Sequence, residues 1–164
     1  MAYTVQENSL LGQTIGDTLI IKKHSLGTIV RAKDPTYGAG EFIYLAGVAS
    51  TVVGSLVTYD ENLGTTALAP ATGGKGPVAV AMSANVASQY GWYQIAGAAA
   101  VKAPNAMVAG AEVFMLAATP GSVDDAAVAG EQVLNAVVST TTGTPSAGLA
   151  IIQINRPFLQ GQIT

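Results

Sequence analysis

Apolar and polar positions alternate in short runs along most of the chain, and Gly, Pro, Asn or Asp breaks nearly every gap between runs. Val78, Val80 and Met82 fall on one face of an extended segment, with Ala79 and Ala81 on the other. Ile152 and Ile154 alternate with Gln153, and Val57 and Tyr59 with Leu56 and Thr58. A period of two bounded by turn residues predicts strands. They fall at Thr18–Lys23, Gly27–Lys33, Glu41–Leu45, Ser55–Tyr59, Pro77–Met82, Gly91–Ile95, Ala98–Ala103, Glu112–Leu116, Gln132–Val138 and Leu149–Asn155. Helix signals occur only at Ser83–Tyr90, behind a Ser cap, and at Asp124–Gly130, which starts acidic and ends on Gly. Neither is long enough to cross over a parallel sheet. The pattern predicts an all-β fold, a compact antiparallel β-barrel or sandwich over residues 17–164. Residues 1–16 hold no sustained period and read as an extended N-terminal arm.

Composition narrows this picture. Only 10% of residues are charged, whereas 49% are apolar. A typical soluble domain carries about 25% charged residues. No apolar run approaches the roughly 20 residues of a spanning helix, so no membrane role is expected. The wealth of Val, Ile and Leu argues against disorder. Surface covered by partner subunits needs little charge, and that is the explanation adopted. The 19 Gly and many Ala suit close strand crossings. There is no Cys, and oligomerisation is the natural substitute for a disulfide framework. Met1–Asn8 lacks a basic start and an apolar core, which points to synthesis in the cytoplasm.

Charge is unevenly spread. Lys22, Lys23, Arg31 and Lys33 cluster early, whereas Glu112, Asp124, Asp125 and Glu131 lie late. This is the pattern of ordinary solvated loops, or of electrostatic complementarity with a neighbour. Without an aromatic platform the basic cluster is a poor phosphate footprint, so no nucleic acid is expected.

The inventory for chemistry is thin. His24 is the single histidine and follows two lysines, as an exposed strand-end residue would. Gly143–Gly148 does not spell Gly-x-Ser-x-Gly. Gly73-Gly74-Lys75-Gly76 resembles a phosphate loop, but Ala69 replaces the first Gly and Gly76 the magnesium-binding Ser/Thr. The adjacent pairs Asp60–Glu61 and Asp124–Asp125 would diverge in a strand and lack the spacing of a calcium loop. No catalytic residue, metal or cofactor is expected. A Gly-x-x-Val element recurs at Gly54/Val57, Gly110/Val113 and Gly130/Val133, in keeping with ordinary turn-to-strand grammar. The most distinctive segment is Tyr90-Gly91-Trp92-Tyr93-Gln94. It reads as a bulky strand whose Trp plugs the core, as an interface anchor, or as a stacking platform.

Several segments together resemble the capsid decoration (cement) proteins of tailed bacteriophages. They are Gly76-Pro-Val-Ala-Val-Ala-Met-Ser83, Ala87-Ser-Gln-Tyr-Gly-Trp-Tyr-Gln-Ile95, Gly40-Glu-Phe-Ile-Tyr-Leu-Ala-Gly47, Gly54-Ser-Leu-Val-Thr-Tyr59 and Gly110-Ala-Glu-Val-Phe-Met115. The resemblance spans about residues 27–156, and Tyr-Gly-Trp-Tyr-Gln is its most specific part. It implies a β-rich, non-enzymatic protein on the outer surface of the virion. Such a protein clamps neighbouring major capsid subunits as a small homo-oligomer, a homotrimer ahead of a homodimer, with an arm reaching over the surface. The candidate contacts are Tyr3, Val5, Leu10 and Leu11 in the arm, the basic Lys22, Lys23 and Arg31, and Trp92 and Tyr93. The alternative is a virion module binding a carbohydrate or receptor through Trp92 and Tyr93.

Overall fold

A computed structural model describes residues 4–5 and 12–161. These form twelve strands and no helix. In chain order they are β1 (Thr4–Val5), β2 (Thr18–Leu19), β3 (Ile29–Asp34), β4 (Gly38–Ala46), β5 (Leu56–Tyr59) and β6 (Thr66–Leu68). There follow β7 (Lys75–Ala81), β8 (Tyr90–Lys102), β9 (Glu112–Met115), β10 (Val123–Asp124), β11 (Gln132–Val138) and β12 (Leu149–Gln160). Every pairing is antiparallel. The main path runs β1-β3-β4-β8-β7-β12-β11-β9-β10, with β2 on β8 and β5–β6 on β7. The path is open at both ends, so the all-β fold is a sandwich-like folded sheet and not one closed barrel.

β8 organises the sheet. Its first half pairs with β4, from Tyr90↔Ala46 to Ala96↔Glu41. Its second half pairs with β12, from Ala96↔Asn155 to Lys102↔Leu149. The change of partner falls at Gly97, whose φ is +98°. A Cβ there would overlap the carbonyl oxygen of Ala39 and stand 3.0 Å from the Gly40 Cα. Only Gly tolerates both that dihedral and that approach. The expected strands Gly91–Ile95 and Ala98–Ala103 are therefore one strand with a kink.

Three apolar clusters fill the sheet. An aromatic one joins Ile15, Val30, Ala32, Phe42, Tyr44 and Trp92. A middle one includes Ile43, Leu45, Val57, Tyr93 and Ile95. The largest is aliphatic, with Val78, Val80, Val101, Val113, Ile152, Ile154 and Leu159 among its members. β7 explains its own alternation: Val78 and Val80 enter the aliphatic cluster, Ala79 and Ala81 the middle one. A strand between two cores needs apolar residues on both faces. In β3 the same period buries Val30, Ala32 and Asp34 and turns Ile29, Arg31 and Lys33 outward.

Several expectations are corrected. The strand Thr18–Lys23 ends at Leu19, because Ile20–Lys23 turn out into solvent. Ser83–Tyr90 is not helical: Asn85 is fully buried and Ser88 takes a φ of +65°. Asp124–Gly130 is not helical either, since Asp124 ends β10 and Glu131 N–H closes a turn onto the Val128 carbonyl. Residues 12–16 are part of the fold, because Gln13 and Ile15 are buried. The arm's Tyr3, Leu10 and Leu11 lie outside the described residues. Val5 stands opposite Ala32 on the edge of β3.

Candidate interaction surface

The segment singled out for its aromatic residues is interior. Trp92 and Tyr93 are both 0% exposed. Trp92 Nε1 donates to the Gln13 carbonyl at 3.3 Å, and Tyr44 Oη donates to Gln13 Oε1 at 2.7 Å. Gln13 Nε2 in turn donates to the Asp17 and Tyr90 carbonyls, each at 2.8 Å. On the other face, Tyr93 Oη accepts from Asn85 Nδ2 at 3.1 Å. The reading as a core strand fits these contacts. A stacking platform on Trp92 and Tyr93 is not present, because neither ring reaches solvent. Burial raises the pKa of Tyr44, Tyr59 and Tyr93 above the usual 10.0; Asn85 and Thr66 partly offset this at Tyr93.

His24 is not an exposed strand-end residue. It is half-buried, with its ring 5.1 Å from Tyr44 and 5.2 Å from Trp92, centroid to centroid. Its Nε2 is buried without a hydrogen bond.

Asp60, Asp124 and Asp125 serve local structure. Asp60 Oδ1 accepts from the Asn62 and Leu63 N–H groups and closes a turn. Asp124 accepts from Asn105 Nδ2 and from the Asp125 N–H, and Asp125 from the Val108 N–H. Gly73–Gly74 lead straight into β7, so no helix N-terminus stands behind that loop. Among the described residues no group of three or more His, Cys, Asp or Glu side chains can hold a metal.

The accessible candidates are basic. Lys22 and Lys23 are exposed beside Ile20 and Ile21, which are 75% and 64% exposed. The Lys23 N–H donates to Tyr44 Oη at 3.3 Å, which anchors this segment on the aromatic cluster. Arg31 Nε lies 3.1 Å from Glu41 Oε1, and Arg156 Nη2 lies 2.8 Å from Glu41 Oε2. One carboxylate thus joins β3, β4 and β12 beside the Gly97 kink and leaves a net positive, solvent-facing patch. Residues 41 and 156 meet across 115 positions, a pairing that no local spacing announces. The register of β4 and β12 against the two sides of β8 produces it.

Apolar surface completes the picture. Leu63 and Val108 are each 66% exposed. Leu134 and Phe158 stand opposite one another on β11 and β12, 36% and 44% exposed. A depression of about 580 Å³ beside them is lined by Ala96, Gly97, Ala136, Val137 and Ile154, among others. No helix among the described residues is long and apolar enough to cross a membrane. Comparison with protein-family models, curated proteins and solved structures finds no match.

Proposed function

We propose that this chain is a structural protein of a bacteriophage virion that binds the outside of the head and clamps neighbouring major capsid subunits. The observation that carries this reading is the combination of low charge with large apolar side chains exposed on several faces, from Ile20 to Phe158. Scattered exposed apolar residues are normal singly. Twelve of them among the described residues, on a chain with so few charges, favour surface that is covered in the working assembly. The resemblance to decoration proteins names the cover: capsid subunits and further copies of the chain, a homotrimer in preference to a homodimer. The protein is non-enzymatic in this reading: Asp60, Asp124 and Asp125 act in turns and loops, Glu41 holds two arginines, and His24 packs on the aromatic cluster.

A clamp of this kind works by repetition. A standard interface buries about 1,600 Å², and weak contacts at many linked sites sum through avidity. The test is to add purified chain to expanded heads that lack it, then measure co-sedimentation and the temperature at which heads release DNA. Binding with a raised release temperature is expected. Chain left in the supernatant overturns the proposal.

A further inference from the structure

Glu131 stands just before β11 and is 8% exposed, yet its Oε2 is buried without a hydrogen bond. No ion pair reaches it among the described residues. It lines a cavity of about 170 Å³ with Thr72, Gly73, Ala129 and Gly130. Thr72, Gly73 and Ala129 are exposed, so the cavity opens between two loop tips with the carboxylate in its wall. A buried carboxylate left unpaired is costly, and none of the other lining residues carries a charge. The open mouth of the cavity leaves room for a cation from another molecule to compensate it.

The chemistry of the site selects among cations. A divalent metal calls for several oxygen ligands, and Glu131 belongs to no cluster of three or more ligating side chains. A guanidinium is a broad planar fork. An ammonium group is a point charge on a slender stem. A cavity of about 170 Å³ suits the slender stem better than the fork.

The chain itself presents such a lysine. Lys22 is exposed next to Ile20 and Ile21, the two isoleucines that turn furthest into solvent. The stem of Lys23 runs past Gly12, within 3.7 Å of where a Cβ would stand, so Lys22 is the freer of the pair. Beside the Glu131 cavity, Val128 accepts the Glu131 N–H on its carbonyl, is 38% exposed and offers apolar surface to match the isoleucines. The Ile20–Lys23 segment is tied to the aromatic cluster through the Lys23 N–H and Tyr44 Oη, and Glu131 stands two residues before Val133 of the aliphatic one. We propose that Lys22 of one copy inserts its ammonium group into the Glu131 cavity of a second copy, with Ile20 and Ile21 covering the apolar rim. The two surfaces differ, so the contact is heterologous and closes into a ring when the rotation between copies allows.

This inference builds on the proposed function, in that it names the contact by which copies join. It is tested without capsids, so its failure leaves head binding to be judged by co-sedimentation. Isotopically heavy and light copies of the full chain are mixed and coupled with a carbodiimide, which joins a carboxylate to an amine only at contact distance. The expected product is a Glu131–Lys22 amide joining one heavy and one light peptide. Glu131→Gln and Lys22→Ala should each weaken self-association by about thirtyfold or more in sedimentation. Lys22 is exposed, so its replacement leaves the core intact even if Glu131→Gln disturbs folding. A monomeric chain, a mixed amide at Glu131 that uses a lysine other than Lys22, no mixed amide there, or unchanged assembly of Lys22→Ala overturns the inference.

Discussion

On one side of the Gly97 kink, β8 contributes Trp92 to a core of large rings; on the other it contributes Ala99 and Val101 to a core of small aliphatic side chains. The two regions hold together differently. Tyr44 and Trp92 each carry a polar handle, and both handles end on Gln13. Rings with such handles pack directionally, since a displaced ring also loses a hydrogen bond. The aliphatic cluster holds no ring with such a handle among the described residues, and its order rests mainly on shape. The aromatic region therefore depends on a short loop from the start of the chain, whereas the aliphatic region depends on the strands themselves.

The largest effect is expected at the boundary between them. Gly97→Ala should cost about 3 kcal/mol or more, because the new methyl meets the Ala39 carbonyl and the backbone holds a positive φ. Gly110→Ala is the control. Its φ is +86°, but nothing lies within 4 Å of the added carbon. It should cost only the dihedral term, about 1–2 kcal/mol. Urea unfolding of both variants separates close approach from backbone preference. Equal losses would show that the kink is not held by contact between β8 and β4.

Gln13→Ala comes next, at about 2 kcal/mol. It removes the acceptor of the Tyr44 hydroxyl and two donations to backbone carbonyls. Loss of near-ultraviolet tryptophan signal at lower urea than loss of sheet signal would locate the damage in the aromatic region. Full coincidence of the two transitions would mean that the cores unfold as one unit and that the contrast between them has no thermodynamic counterpart.

How far this contrast could be read in the sequence depends on the distance over which each signal acts. β11 is found over Gln132–Val138 as the alternation predicts, because period and flanking turns are local. β6 and β10 leave no trace, since three and two residues carry no period. The Ala96-Gly97 step reads as a gap, although the strand passes through it. Trp92 is legible as a core plug from its bulk beside Gly91. Its tie to Gln13 is not, because an aperiodic segment gives no hint of what it packs against. The Glu41–Arg156 pair is invisible for the same reason: it depends on long-range register.

Alkaline pH probes the handles directly. The fold raises the pKa of Tyr44, Tyr59 and Tyr93 by burial. The folded state therefore keeps protons that the unfolded chain gives up, and stability falls as pH rises above about 10. Below that range these groups leave stability independent of pH. Tyrosinate absorption should lag in the folded protein and appear together with unfolding. Tyr44 sits in the aromatic cluster, Tyr93 in the middle one and Tyr59 against the middle one, so the aliphatic core should be the last to respond.

The smallest effect has the opposite sign. Ser122 is 0% exposed beside the aliphatic core, and its Oγ has no hydrogen-bond partner. Its backbone is fully used: the N–H donates to the Thr119 carbonyl and the carbonyl accepts from Leu116. The hydroxyl thus gives up hydration and gains nothing in return. Ser122→Ala keeps both backbone bonds and removes the stranded group, so stability should rise by about 1 kcal/mol in chemical denaturation. In the aromatic region the same kind of truncation, Gln13→Ala, removes a bonded group and lowers stability. A loss at Ser122→Ala would mean that the hydroxyl is fastened in solution, and the aliphatic region would then share the polar dependence that sets its neighbour apart.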